Sequence, residues 1–91
     1  MKKGVNIRVY GRVQGVFFRK KTKAQADNLQ ITGWVKNNED GSVSLHASGD
    51  EAQLLLLVKW LDKGPILAKV SSKDITWVDH ESHKDFSIRY D

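Results

Sequence analysis

The fold of this chain is decided by residues 31–47, which read ITGWVKNNEDGSVSLHA. Asp40-Gly41 is a strong signal for a tight hairpin. It separates a predicted strand over Ile31–Asn38 from another that begins near Val43, in which every second residue is apolar. A tight hairpin makes two such strands antiparallel neighbours. The remaining elements are placed around this pair.

Upstream of the hairpin, the sequence predicts one strand, a loop and one helix. Apolar and polar residues alternate from Val5 to Gly11, which is the pattern of a half-buried strand. The glycine-punctuated segment over residues 11–16 is interpreted as a loop. A helix is predicted from about Arg19 to Leu29 by an apolar stripe at helical spacing, formed by Phe18, Thr22, Ala26 and Leu29.

Downstream of the hairpin, the sequence predicts a second helix and two short strands. Asp50 is a suitable N-cap, and Gln53 follows at the spacing of a capping box. The helix runs through Leu54–Leu61 and is stopped by Gly64-Pro65. Alternation then predicts two strands, one within Val70–Val78 and one at Phe86–Tyr90.

This β-α-β-β-α-β order predicts an α+β fold, a ferredoxin-like sandwich with one antiparallel sheet and both helices on one face. Right-handed crossovers and the hairpin together place the third strand between the first and second. The first two strands then end at the same edge of the sheet. We therefore expect the loop from Gly11 to Arg19 to meet the end of the second strand near Asn37.

Composition and charge narrow the classes of function. The 91 residues include no cysteine, which excludes disulfides, cysteine-ligated metals and thiol nucleophiles. No apolar run approaches the ~20 residues of a membrane span, and no signal peptide is apparent, so we expect a cytoplasmic protein. Residues 1–26 carry eight basic side chains and no acidic one, although the whole chain has a net charge of only +4. This asymmetry indicates an anionic partner: nucleic acid, phosphate or an acidic membrane.

The predicted loop has the composition of an anion site. Gly11 and Gly15 let the backbone approach a ligand closely, and the loop opens directly into a helix N-terminus, where N–H groups lack intrahelical partners. Arg19 would add a planar guanidinium that pairs well with phosphate oxygens. The alternative is a plain connection between strand and helix, in which the glycines only allow a sharp turn.

Two segments resemble the signatures of the acylphosphatase family. Residues 11–19, GRVQGVFFR, are similar to the first signature. The second is matched by Gly33-Trp34-Val35-Lys36-Asn37, then Gly41-Ser42-Val43 and then Gly49, at the family's spacing. The resemblance covers essentially the whole chain, which implies a single acylphosphatase-like domain over residues 1–91.

The resemblance implies an enzyme that hydrolyses acyl phosphates to carboxylate and inorganic phosphate, with no metal and no cofactor. It makes Arg19 the phosphate-binding arginine and Asn37 the residue that positions the attacking water. It also implies a small-molecule substrate rather than nucleic acid or membrane, and we expect a monomer. The phosphate-binding backbone loop that it implies consists of Gln14, Gly15, Val16, Phe17, Phe18 and Arg19.

Two other functions share this fold. An RNA-recognition module has the same order of elements and would suit the basic N-terminal part. However, the predicted central strand, which begins at Ser42 and Val43, offers no aromatic side chain for a base to stack on. A binding domain that has lost catalysis is the other alternative, and the presence of Arg19 and Asn37 argues against it.

Two details deviate from simple patterns. His80-Glu81-Ser82-His83 is one residue short of a zinc-protease motif and lies in a predicted loop, so we expect no metal site there.

Gln30 follows the first helix where the family commonly has glycine. If the left-handed cap is kept, Gln30 carries about 1–2 kcal/mol of backbone strain.

Overall fold

The computed structural model describes residues 1–90 and contains the predicted elements in the predicted order. Within that range, neither helix is long and apolar enough to cross a bilayer. The elements are β1 (Lys2–Arg12), α1 (Phe18–Asn28), β2 (Thr32–Asn37), β3 (Val43–Asp50), α2 (Glu51–Lys63), β4 (Lys69–Val78) and β5 (Phe86–Arg89).

The five strands form one sheet in the order β4-β1-β3-β2-β5. The third strand lies between the first and second, as predicted, and three of the four pairings are antiparallel. The expectation of a purely antiparallel sheet fails at β5, which pairs parallel to β2 through Gly33↔Phe86 and Val35↔Ile88. Because β4 already occupies the free edge of β1, β5 crosses to the opposite edge of the sheet and there runs in the direction of β2.

Both helices pack on one face of this sheet. α1 lies against β2 and β5, whereas α2 lies against β1, β3 and β4. The core between sheet and helices is formed by inward-facing apolar side chains, among them Val5, Ile7, Val9, Val35, Val43, Leu45, Phe18, Ala26, Leu54, Leu57 and Leu61. The other face of the sheet carries polar side chains and is crossed by the β4–β5 connection, which lies over the buried His46 of β3.

α2 begins where the sequence predicts, but its N-terminus is stabilised differently. Asp50 has the extended backbone of an N-cap, yet its side chain forms no capping hydrogen bond, so the predicted capping box is wrong. The Asp50 carboxylate instead accepts a hydrogen bond from the N-terminal ammonium at 3.0 Å, which lowers the pKa of Asp50. The N–H of Glu51 also donates to the carbonyl oxygen of Met1 at 2.8 Å.

β1 continues one residue past the predicted end, because a bulge lets it follow β4. The register shifts between Tyr10 and Gly11, and pairing resumes as far as Arg12. Gly11 has φ 120°, and a Cβ at this position would collide with the carbonyl oxygen of Lys69. The bulge therefore depends on glycine, and it directs the chain out of the sheet into the loop before α1.

Gln30 keeps the left-handed cap at the end of α1. Its φ is 57°. Its N–H donates to the carbonyl oxygen of Asp27 at 3.1 Å, and the N–H of Ile31 donates to that of Ala26 at 2.9 Å. These two bonds form a Schellman motif, in which glycine is the usual left-handed residue.

We expect Gln30→Gly to raise the free energy of unfolding by about 1 kcal/mol, or the melting temperature by roughly 4 °C. Glycine relieves the left-handed strain, and part of that gain is offset by its greater freedom in the unfolded chain. Asn28→Gly is the matched control, because Asn28 is the last helical residue and glycine lowers stability in helical conformation. Thermal melts of the three proteins test this; an unchanged or lower melting temperature for Gln30→Gly would contradict it.

Candidate active site

The loop after β1 and the end of β2 meet as the topology predicts. β1 and β2 run parallel on either side of β3, so their C-terminal ends lie at the same edge of the sheet. A cavity of about 250 Å³ opens between them. Its lining combines the loop, the start of α1, the end of β2 and the last described residues: Val13, Gly15, Phe17, Phe18, Arg19, Lys20, Asn37, Ile88 and Tyr90.

The loop before α1 contains two residues with left-handed backbone conformation. Gly15 has φ 73° and Phe17, the N-cap of α1, has φ 62°, so two left-handed residues flank Val16. Successive peptide groups in such a turn form a concave anion-binding nest. No side chain caps the helix, and no acidic residue occupies its first turn. The loop and the helix N-terminus together offer a row of N–H donors to an anion.

Phe17 holds its conformation at an energetic cost. A residue with a Cβ in the left-handed region is strained by about 1–2 kcal/mol. The ring is 66% exposed, so burial of Phe17 does not offset this strain. Strained backbone of this kind is concentrated at functional sites, where the surrounding structure imposes it.

Arg19 lies in the first turn of α1 and reaches the rim of the cavity. Its guanidinium carbon lies 4.8 Å from the centroid of the Tyr90 ring. Its Nη1 donates a long hydrogen bond of 3.5 Å to the carbonyl oxygen of Arg89. The side chain is therefore held over the cavity by the chain segment after β5, while most of its N–H donors are available for a ligand.

Asn37 is the last residue of β2, and its side chain faces the cavity. The Oδ1 atom is shielded from solvent and accepts no hydrogen bond from any residue in the range 1–90. Buried polar atoms almost always have a partner. Asn37 therefore brings an amide group to the wall of the cavity, with its oxygen buried and unpartnered.

Gln14 fastens the loop to the β2–β3 hairpin. Its Nε2 donates to the carbonyl oxygen of Asn38 at 2.7 Å and to that of Ser42 at 2.9 Å. The family resemblance assigns Gln14 to the phosphate-binding backbone, and the side chain has this additional role, which sequence reasoning missed. A contact across 24 residues leaves no local pattern in the sequence.

Within the hairpin itself, a polar network fixes the turn next to Asn37. Asp40 Oδ1 accepts from the backbone N–H of Ser42 at 2.9 Å and from its hydroxyl at 2.5 Å, and these bonds lower the pKa of Asp40. Arg8 of β1 donates to Asp40 Oδ2 and to Ser42 Oγ, each at 3.0 Å. The Asn38 amide donates to the hydroxyls of Ser42 and Ser44 at 2.9 and 2.7 Å.

Acidic residues from later in the chain reduce the positive charge of the N-terminal part. Three of its eight basic side chains form ion pairs, Lys3 with Glu51 at 3.3 Å, Arg8 with Asp40 at 3.0 Å and Lys23 with Asp27 at 2.9 Å. Arg19 and Lys20 line the cavity. The local field at the cavity is positive, which attracts anions.

Comparison with known proteins agrees with this geometry. The chain matches the acylphosphatase family model over residues 5–88. It belongs to the acylphosphatase family. The acylphosphatase of Salinibacter ruber is 42% identical over 88 residues, which cover 96% of this chain and 93% of the relative. Two solved acylphosphatases, from Coxiella burnetii and Bacillus subtilis, each match with a TM-score of 0.93 and 40% identity. The match to the Coxiella burnetii structure covers 97% of this chain and 93% of that one. The match to the Bacillus subtilis structure covers 99% of this chain and 100% of that one.

Acylphosphatases are hydrolases of acyl phosphates, and this chain is a hydrolase of that family. Its five-stranded mixed sheet with two helices on one face is the ferredoxin-like α+β fold of the solved acylphosphatases. The site residues that the resemblance implies, Arg19, Asn37 and residues 14–18, lie either in the lining of one cavity or in the loop beside it. Tyr90 and Ile88 also line it, and no motif marks them.

Proposed function

We propose that this chain cleaves the carboxyl–phosphate mixed anhydride of acyl phosphates without a metal ion. In this proposal the backbone of residues 14–19 and the Arg19 guanidinium hold the phosphoryl group, and Asn37 positions the attacking water. The observation that carries the proposal is one cavity lined by the start of α1, the Arg19 side chain and Asn37, with no acidic residue in the first turn of the helix.

Charge stabilisation is the first part of the mechanism. The transferring phosphoryl group spreads negative charge over its three equatorial oxygens. Donors that are already oriented stabilise this charge without reorganisation during the reaction. The loop N–H groups are fixed by the left-handed residues Gly15 and Phe17, and the loop is fixed by the Gln14 bonds to the hairpin.

Water attack is the second part. The Asn37 amide holds the water by a hydrogen bond, which directs the oxygen lone pair at phosphorus. A bond forms between that oxygen and phosphorus while the bond from phosphorus to the acyl oxygen breaks, and its electron pair leaves on the carboxylate. The water's proton passes to a phosphate oxygen. An acyl phosphate is a reactive anhydride, so positioning and charge stabilisation suffice without a protein nucleophile.

The residues around the cavity support metal-independent chemistry. Among the described residues that line it, none is a histidine, aspartate or glutamate, the usual ligands of a hydrolytic metal ion in a protein without cysteine. The positive charge that a metal would supply at the phosphate is provided instead by Arg19 and the helix N-terminus. All the groups that the reaction needs come from one chain, so the proposal includes a monomer, acting in the cytoplasm on small acyl phosphates.

The direct test is hydrolysis of benzoyl phosphate, followed by its ultraviolet absorbance. We expect turnover by the purified chain at a rate that EDTA does not lower. Heat-inactivated protein and buffer are the controls. Folded protein that hydrolyses no benzoyl phosphate would refute the enzyme, and a loss of activity in EDTA would refute only its metal independence.

Inorganic phosphate is expected to inhibit competitively and to stabilise the fold. As a product it occupies the same loop, and a ligand at one hundred times its Kd adds about 2.7 kcal/mol to the free energy of unfolding. This amounts to a rise in melting temperature of roughly 10 °C or more for a domain of this size. Melts in phosphate and in sodium chloride of equal ionic strength measure the effect; equal melting temperatures would argue against a preformed anion site.

A further inference from the structure

A second cluster of polar side chains lies on the opposite face of the sheet from the helices. His46 of β3 meets Glu81 and His83 of the β4–β5 connection, and one ligand atom from each lies within 4.8 Å of the others. We propose that these three residues bind a divalent zinc ion that ties the connection to the centre of the sheet. The proposal is independent of the acyl phosphate chemistry.

His46 is already arranged as a metal ligand. It is 2% exposed, and its Nδ1 lies 2.7 Å from the Oδ1 of Asn6. An amide oxygen only accepts, so the proton is on Nδ1 and the lone pair is on Nε2. Metal-bound histidines characteristically donate their other ring N–H to such an oxygen, which fixes the ring and its tautomer.

The lone pair of His46 faces the cluster. Nε2 accepts from the Ser48 hydroxyl at 2.9 Å and lies 3.9 Å from Glu81 Oε2. Burial lowers the pKa of His46, with smaller contributions of the same sign from His83 and His80 and an opposing one from Glu81. A zinc ion at Nε2 would replace the Ser48 hydroxyl, whose side chain would then rotate and give up the hydrogen bond that it accepts from the N–H of Glu81.

His83 provides the observation that points to a missing partner. Its Nε2 is shielded from solvent and forms no hydrogen bond with any residue in the range 1–90. The nearest anionic group is Glu81 Oε1 at 3.6 Å, and the rings of His83 and His46 lie 5.0 Å apart. A buried ring nitrogen without a partner is unfavourable, and a metal ion between the two rings would satisfy it.

The types of donor atom and the distances between them fit a zinc ion. Two imidazole nitrogens and one carboxylate are a usual three-residue set, with water as the fourth ligand. Bond lengths of 2.0–2.2 Å place the ligand atoms of a tetrahedral ion about 3.4 Å apart. His83 Nε2 lies 3.6 Å from Glu81 Oε1, His46 Nε2 lies 3.9 Å from Glu81 Oε2, and one ligand atom from each residue lies within 4.8 Å of the others. The Glu81 side chain is 63% exposed, and a closure of about 1–1.5 Å among the ligand atoms would complete the site.

The test is zinc titration of the full chain, without a histidine tag and freed of metal by EDTA and dialysis, in a buffer without phosphate. We expect one zinc per chain by calorimetry, a higher melting temperature in zinc, and a visible absorption band of nitrogen-bound cobalt when cobalt replaces zinc. His83→Ala and Glu81→Gln should each weaken binding about tenfold or more. His80→Ala is the control, because His80 is in the same connection but outside the cluster.

Binding that stays at full affinity in both His83→Ala and Glu81→Gln would overturn the proposal, as would the absence of saturable binding. An equal loss in His80→Ala would overturn the assignment of ligands. Circular dichroism establishes first that each variant is folded; if His83→Ala unfolds, Glu81→Gln decides, because its exposed side chain is not part of the core. Hydrolysis of benzoyl phosphate by the same variants should be unchanged, so failure of the metal site and failure of the enzyme are seen separately.

Discussion

Arg19→Ala is expected to lower kcat/KM for benzoyl phosphate by about 10³-fold or more, the scale for an arginine that stabilises a transferring phosphoryl group. In the proposed mechanism the guanidinium contacts the phosphoryl oxygens in both the ground state and the transition state, so phosphate inhibition should weaken and turnover should fall together. Stability should change little, because the interactions that hold the Arg19 side chain within residues 1–90 are a contact with the Tyr90 ring and one long hydrogen bond to the Arg89 carbonyl oxygen. Steady-state kinetics and the inhibition constant of phosphate measure both effects.

Two further variants separate charge from geometry at this position. Arg19→Lys keeps the charge but loses the planar pair of donors, so we expect an intermediate rate. Lys21→Ala removes one charge from the same helix, from a side chain outside the cavity lining, and should change kcat/KM only slightly. The role of Arg19 would be wrong if Arg19→Ala kept the phosphate affinity and the turnover of the unchanged protein.

Asn37→Ala is expected to lower turnover by roughly 10²–10³-fold, the scale for one preorganised polar group, while phosphate affinity stays nearly the same. In the proposed mechanism Asn37 orients water and does not hold the phosphoryl group. Folding stability should be retained, since its Oδ1 forms no hydrogen bond within the described chain that the substitution would break. Turnover and phosphate inhibition of the folded variant together test this.

Asn38→Ala is the matched control for Asn37, because it removes the same amide one residue along the chain. The Asn38 side chain donates to Ser42 and Ser44, so this variant should lose stability by about 1 kcal/mol, with a much smaller fall in turnover. If Asn37→Ala turned over at a nearly normal rate, its water-positioning role would be wrong. The residues of the second signature would then serve only to form the β2–β3 hairpin.

The sequence predicts most of the fold because its signals are local. The Asp40-Gly41 turn and the alternation on either side of it are enough to pair β2 with β3, and right-handed crossovers then place β1. The parallel pairing of β5 with β2 is not a local property, because it depends on which sheet edge is free after β4 has paired. The Asp50 cap is missed for a similar reason: its partner, the N-terminal ammonium, lies 49 residues away in the chain.

The candidate site is predicted in position but not in conformation. Arg19 and Asn37 are found from the two signatures and lie around one cavity. The left-handed backbone of Phe17 is unexpected, because residues other than glycine seldom adopt it. His46 is joined to Glu81 and His83 only by the β4–β5 connection crossing the sheet, so no spacing in the sequence brings the three together.

The conformation of residues 14–19 also determines how this site tolerates mutation. In the proposed mechanism its donors other than the Arg19 guanidinium are peptide N–H groups, which only a proline replacement would remove. A substitution at residues 14–18 would therefore act mainly through the backbone angles that it permits. Gly15, with a φ of 73°, has a conformation that few side chains accept. At Val16, packing against the core limits replacement as well.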